Sequence, residues 1–382
     1  MEMTSMKTDV PVRIWHEGPL PEGVKAAAHR LAASEGVRHV AVMPDAHLAE
    51  DVCIGTVVGT RDTLYPSAVG GDIGCGVAAI GFDVEASSLA APAVAARVLA
   101  GLYERVPFVR HDRHRAPALP EALRDRPLSS PRLESARRRE AERQLGTIGS
   151  GNHFIELQAD DEGRLWLMLH SGSRGLGQAI RDHHLARCRS GRLGLAFLDA
   201  SADAGRDYLA DMAWALDYAA ASRRRMVEAV AEVLAAVVNA APDPASFVSC
   251  HHNHVRQETH DGEALWVHRK GAIPAGHDEA GLIPGSMGTL SVHVRGLGRP
   301  EALGSCAHGA GRRLSRTEAR RRISVPQLAR EAAGVFFDHR LAGALRDEAP
   351  SAYKDVDVVL RAQRELARVV RRLRPVLVYK GV

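Results

Sequence analysis

Short apolar runs broken by turns fill residues 11–60, and they read as strands more than helices. Val37–Met43 is apolar at most positions and predicts a largely buried strand, stopped by Pro44. Val52–Gly59 predicts a second strand. Val77–Phe82 predicts a third, directly after a glycine-rich turn. Helical spacing appears in Val24–Ala33 and Ala91–Leu102. Leu165–Leu169 is again strand-like and runs into a Ser/Gly turn. Asp203–Val238, rich in alanine, predicts a long helix. Ser249–His254 is a polar break, and Ile283–Val294 reads as strand and turn. Val356, Val359, Leu360, Leu366, Ala367, Val370 and Leu373 recur at helix spacing, so Tyr353–Leu373 predicts an amphipathic helix. Pro375 ends it, and Val376–Tyr379 predicts a final strand. Residues 108–145 change character: Arg, Pro and Glu dominate, and a basic, partly irregular surface excursion is expected. Strands and helices interleave irregularly and no internal repeat is visible. The expected fold is α+β, one compact domain over residues 1–382 with mixed sheets flanked by helices.

Composition adds limits. In 382 residues, 45% hydrophobic content supplies one large core or two ordinary domains, and an aromatic content of 4% makes that core aliphatic. The net charge of +4 is compatible with a polyanionic partner. Arginines cluster at Arg110, Arg113 and Arg115, at Arg137–Arg139, at Arg223–Arg225 and at Arg320–Arg322. Such runs are solvated helix faces or a phosphate-binding track. The five cysteines, Cys53, Cys75, Cys188, Cys250 and Cys306, include no CxxC pair. Met1–Val10 holds charges without an apolar run, and no stretch approaches the roughly 20 apolar residues of a membrane span. The expectation is a reduced, cytoplasmic protein with no membrane partner.

Chemistry concentrates in six glycine-dense or polar turns: Gly70–Gly76, Gly149–Phe154, His170–Gly175, Cys250–His254, Pro284–Thr289 and His308–Arg312. Glycine clusters recur where backbone must approach a ligand or turn sharply, and six such glycine-dense or polar segments suggest one shared site. Asp72 and Cys75 lie three apart on a glycine turn, so a carboxylate and a thiolate can converge. His153, His170 and His252 follow or interrupt strand ends. An Asp/Cys/His set suits a transition metal and not magnesium; ligand softness favours zinc, and spacing leaves the metal open. Arg174, Ser171, Ser173 and the Gly309–Gly311 turn offer donors for phosphate oxygens. No GxxxxGK[ST] phosphate loop, no GxGxxG after a strand and no KxDG nucleophile occurs.

Taken in order, these segments resemble those of the RtcB family of RNA ligases. Met43–His47, Arg269–Ala272, Ala349–Asp355 and Lys380–Gly381 resemble further family segments, so the likeness runs from about residue 40 to the C-terminus, with the length of the shorter bacterial type. The resemblance implies two Mn2+ ions held by Asp72, Cys75, His153, His170 and His252, with Cys75 bridging. It implies that His308 attacks the α-phosphorus of GTP and carries GMP. It places Asn152 on phosphate and Glu156 on guanine, whose N1–H and 2-amino group a carboxylate can accept. His153, Phe154, Ile155, Pro284, Gly285, Ser286, Met287, Ser291, Gly309, Ala310, Gly311 and Lys380 join the guanylate pocket, and Tyr353 flanks the base. The implied reaction joins RNA 2′,3′-cyclic phosphate or 3′-phosphate ends to 5′-hydroxyl ends, in RNA repair or tRNA splicing, by a monomer or weak oligomer.

Two stretches depart from the family pattern. Glu50 and Asp51 follow Met43–His47 where many members carry Gly-Lys-Gly, and Ser222 precedes Arg223 where Asn is usual. Both bear on RNA handling more than on the chemistry. The alternative is a metal-dependent RNA phosphodiesterase or nuclease without guanylylation, which would need neither His308 nor Glu156 and Lys380 as a guanine pocket.

Overall fold

The computed structural model describes residues 10–381. The absence of an apolar leader concerned Met1–Val10, of which residues 1–9 lie outside the described residues. An eight-stranded sheet carries the site. Its strands run in the order Pro242–His251, Gly76–Glu85, Arg164–Ser171, Phe154–Asp160, Ala367–Tyr379, Ser291–Gly296 and Ala280–Ile283, with Phe336–Phe337 pairing off Ala367–Tyr379. A five-stranded sheet runs Val12–Ile14, Val37–His47, Ile54–Thr60, Glu263–Lys270 and Asn253–His260. Most pairs are antiparallel; Val12–Ile14 with Val37–His47 and Phe336–Phe337 with Ala367–Tyr379 are parallel. The α+β expectation therefore holds.

Strand alternation decides what each face buries. Met43, Val57 and Val267 of the smaller sheet meet Val77, Ala79, Met168 and Leu373 of the larger one in a shared core. The opposite face of the larger sheet, with Ile80, Ile155, Leu167 and Leu169, packs on Val98 and Leu102 of the helix Pro92–Arg105. It also packs on Met226, Val230 and Leu234 of the helix Asp203–Val238. That second helix runs 36 residues and ends where Asn239 adopts a left-handed conformation (φ 54°).

Four expectations need correction. Ser249–His254 is not a break: the strand Pro242–His251 runs into it and Asn253–His260 leaves it, with only His252 between. The strand from Val37 continues through Pro44 to His47. Tyr353–Leu373 is not one helix: Val356–Ala362 is helical, and Ala367–Tyr379 is a 13-residue strand. Its residues also alternate, with Ala367, Leu373 and Leu377 buried and Arg368, Arg372 and Arg374 exposed. Pairing on both sides outweighs the helical spacing, and Pro375 sits at an irregularity in the register where its missing N–H is tolerated. The stretch 108–145 is irregular only in its first part. Its helix Pro131–Gln144 is capped by Ser130, and Leu119, Leu123, Leu128, Leu133 and Leu145 pack near Trp214 and Tyr218. Trp214 Nε1 donates to the Leu123 carbonyl (2.9 Å) and the Tyr218 hydroxyl to that of Ala141 (2.8 Å). Among the described residues no helix is long and apolar enough to cross a membrane.

Candidate active site and metal centre

Four neighbouring strands deliver the metal-type residues to one end of the larger sheet. Cys75 precedes the strand Gly76–Glu85, His153 precedes Phe154–Asp160, His170 closes Arg164–Ser171 and His252 follows Pro242–His251. Register aligns them: Gly76 lies opposite both Ser171 and His251, and His170 lies opposite both Val77 and Phe154. Cys75 Sγ is 3.4 Å from His153 Nε2 and 3.1 Å from His170 Nε2, and all three residues are buried. Asp72 Oδ2 is 2.9 Å from His153 Nε2, and His252 Nε2 is 3.3 Å from His170 Nε2. The five expected ligands thus form one connected chain of donors.

The rings are oriented from behind. His153 Nδ1–H donates to the Ile148 carbonyl (3.0 Å) and His170 Nδ1–H to that of Asn152 (3.2 Å), which turns each Nε2 lone pair toward the sulfur. His252 Nδ1 is buried without a protein partner. Burial holds His170 and His252 well below the ordinary imidazole pKa, so both are neutral and able to ligate. Burial and the Asp72 charge push the Cys75 thiol up, so a cation must displace its proton. Soft sulfur and neutral nitrogens with converging lone pairs fit a transition-metal cation. Gly172 allows the close approach, since a Cβ there would lie 2.2 Å from an Asp72 carboxylate oxygen. Asn253 fixes the loops, donating to the Asp72 carbonyl (3.0 Å) and accepting from Gly271 N–H (2.9 Å).

Beside this cluster lies a cavity of about 260 Å³. His170 belongs to its wall, as do Asn152, Phe154, Glu156, Pro284, Gly285, Ser286, Met287, Ser291, His308, Gly309, Ala310, Gly311, Tyr353 and Lys380. His153 stays with the metal-type cluster. Ile155 does not line the cavity: strand alternation sends its side chain to the opposite face, into the helix-covered core. Glu156 is buried, and burial raises its pKa to about 8 despite a hydrogen bond from Gln158 and the charge of Lys380. Ser291 Oγ accepts from Gln158 Nε2 (3.2 Å) and from Gly285 N–H (3.1 Å), tying the Pro284 turn to the cavity floor.

His308 Nδ1–H donates to Asp45 Oδ2 at 2.6 Å, and the His308 backbone N–H points to the same oxygen at 3.3 Å. Asp45 is 0% exposed. Nε2 of His308 is the ring nitrogen left for chemistry, and the ring centroid is 4.7 Å from that of His252. Lys354 supports this corner by donating to the Pro44 (2.9 Å) and Ala46 (2.7 Å) carbonyls. Gly311, at φ 75°, passes so close to Asp45 that a Cβ would sit 2.3 Å from its carbonyl oxygen.

Sequence reasoning gave no role to Asp45, Arg312, Arg316 or Glu348. Buried Glu348 accepts from the Tyr353 hydroxyl (2.6 Å), Lys380 Nζ (3.0 Å) and Arg316 Nη1 (2.8 Å), and Arg312 lies over the Tyr353 ring. The acid pair Asp347–Glu348 resembles a solvated turn, so only its distance from any helical charge pattern could have hinted at burial. Arg320, from a run read as a solvated face or phosphate track, pairs with buried Asp347 (3.3 Å). Of the departures from the family pattern, Ser222 is buried and accepts from Gly146 N–H (3.0 Å). Glu50 and Asp51 are exposed beside Lys270, whose ammonium donates to the Val52 carbonyl (2.8 Å).

A thiol and imidazoles at ligand spacing, beside a cavity with a carboxylate-backed histidine, suit a metal-dependent enzyme. A family model described as tRNA-splicing ligase RtcB matches residues 27–129 and 126–381. RNA-splicing ligase RtcB of Escherichia coli strain K12 is 35% identical over 410 aligned positions, covering 98% of each chain. RNA-splicing ligase RtcB of Mycobacterium tuberculosis is 38% identical over 282, covering 62% of this chain and 65% of its own. tRNA-splicing ligase RtcB of Nanoarchaeum equitans is 29% identical over 463, covering 98% and 96%. The chain belongs to the RtcB family.

Proposed function

We propose that this RNA ligase activates RNA ends with GTP, through GMP carried on His308, and joins a 2′,3′-cyclic phosphate or 3′-phosphate end to a 5′-hydroxyl end. One observation carries the reading: His308, backed by buried Asp45 at 2.6 Å, lines the same cavity as His170 of the metal-type cluster and as Glu156 and Lys380. A cavity serving hydrolysis alone has no need of a buried carboxylate placed to read a guanine base.

Asp45 fixes the tautomer, so Nε2 presents its lone pair to the α-phosphorus of GTP. A phosphorus–nitrogen bond forms as the bond to pyrophosphate breaks, and Asp45 stabilises the positive charge that develops on the ring. Water first opens a 2′,3′-cyclic phosphate to a 3′-phosphate; that phosphate then takes GMP from Nε2, and attack by the 5′-hydroxyl releases GMP. Asp72, Cys75, His153, His170 and His252 would hold divalent manganese, as a pair of ions, which supplies charge neutralisation for the phosphates. Lys380, Arg312 and Arg316 add positive charge along the wall shared with Glu348. Glu156 reads guanine against adenine, and Tyr353 flanks the base.

Incubation with α-labelled GTP and Mn2+, then denaturing electrophoresis, tests this. The wild type should retain label in an acid-labile, alkali-stable linkage, and His308→Ala should retain none while binding metal as before. An unlabelled wild type that cleaves RNA would favour the hydrolase.

A further inference from the structure

Outside the cavity, one guanidinium touches three of the loops that carry metal-type residues. Arg223 lies in the helix Asp203–Val238 and is 0% exposed. Its Nη1 donates to the Gly74 carbonyl (2.9 Å) and to the Ser171 carbonyl (2.9 Å). Nη2 lies 3.1 Å from His251 Nδ1, which is also 3.0 Å from the Gly74 carbonyl, and Nε donates to Ser249 Oγ (3.3 Å). Gly74 precedes Cys75, Ser171 follows His170 and His251 precedes His252. The fork therefore grips the backbone beside two ligands and the side chain beside a third. Arg223 has no ion-pair partner among the described residues; burial works against its charge, and the Asp72 carboxylate is the ionised group that favours it. A buried charge without a carboxylate is costly unless its donors are satisfied, and here the segments that carry the ligands meet most of them. Its sequence neighbours Arg224 and Arg225 are exposed.

We propose that Arg223 is a positioning residue that sets the spacing of Cys75, His170 and His252 without touching metal or nucleotide. This rests on reading those three as metal ligands. A planar guanidinium on a rigid helix can hold three acceptors at fixed angles, whereas a lysine ammonium on a flexible stem cannot.

The test titrates the metal-free full chain with Co2+, by calorimetry and by the near-ultraviolet thiolate-to-cobalt charge-transfer band that Cys75 would give. The wild type should show the band, and Arg224→Ala should match it. Arg223→Met should weaken Co2+ binding by about 10- to 100-fold, the range for residues that orient ligands. Its band should be altered, with far-UV circular dichroism and cooperative unfolding retained. Arg223→Lys should lie between. A wild type without the band sinks the ligand reading itself. A wild type with the band, and Arg223 variants matching its affinity and spectrum, overturns the positioning role alone. If Arg223→Met does not fold, Arg223→Lys decides by the same criteria; failure of both to fold assigns the residue to the fold and overturns the proposal.

Discussion

Glu156 lets the electrostatics of the cavity be measured without any ligand. Below pH 4.5 this carboxyl is protonated in the folded and the unfolded chain and its ionisation contributes nothing. Between pH 4.5 and about 8 the unfolded chain releases the proton while the folded one keeps it, so stability falls as pH rises. Above pH 8 both forms are ionised and the full penalty remains. The gap from 4.5 to about 8 corresponds to a ceiling of roughly 5 kcal/mol at about 1.4 kcal/mol per pH unit. Glu156→Gln removes the ionisation and keeps an acceptor for Gln158. If about 3 kcal/mol of the ceiling is realised, an unfolding entropy of about 2 cal/mol/K per residue converts it to a rise in Tm of roughly 4 °C. Calorimetry of metal-free, nucleotide-free protein from pH 5 to pH 9 should show the variant's advantage absent at the acid end and growing toward pH 9. Parallel profiles would refute the reasoning and mean that Lys380 keeps Glu156 ionised throughout. The same variant should lose discrimination between GTP and ATP, because an amide cannot accept from two guanine donors as a carboxylate can.

Asp45→Asn should lower guanylylation of His308 by at least about 100-fold through tautomer and charge, with Mn2+ binding unchanged; rapid-quench labelling measures it. Gly311→Ala places a Cβ against the Asp45 carbonyl and should cost about 2–4 kcal/mol, read by urea unfolding, together with slower guanylylation. Cys75→Ser should lower Mn2+ stoichiometry or affinity by calorimetry, and an unchanged isotherm would remove the sulfur from the ligand set.

Much of the site was legible because its chemistry is packed into local segments. Each glycine-dense or polar turn announces itself over five to seven residues, and the structure gathers all six around one cavity and its neighbouring cluster. Readings failed where tertiary contacts decide. Ala367, Val370 and Leu373 fit a helix stripe, but pairing with Ser291–Gly296 and Phe154–Asp160 makes them a strand. Ile155 was grouped with its neighbours although period-two alternation puts Phe154 and Glu156 on one face and Ile155 on the other. The run Arg223–Arg225 looks uniform in sequence, yet the helix turns only Arg223 inward. Asp45 lies next to a proline that reads as a strand stop, so its burial within the strand Val37–His47 left no local trace.

Strand register is what turns these separated motifs into one centre. Cys75, His153, His170 and His252 come from segments far apart in the chain, but each lies at or beside the same end of four adjacent strands. Antiparallel pairing places Gly76 opposite Ser171 and His251, and Phe154 opposite His170. A one-residue slip of Arg164–Ser171 would carry His170 to the helix-covered face and bring Leu169 toward the sulfur. The apolar alternation of Leu165, Leu167 and Leu169 against Trp166 and Met168 prevents that slip, because it would move three leucines out of the core under Val98 and Leu102. The residues that hold the metal-type cluster in place are therefore largely the aliphatic ones behind it.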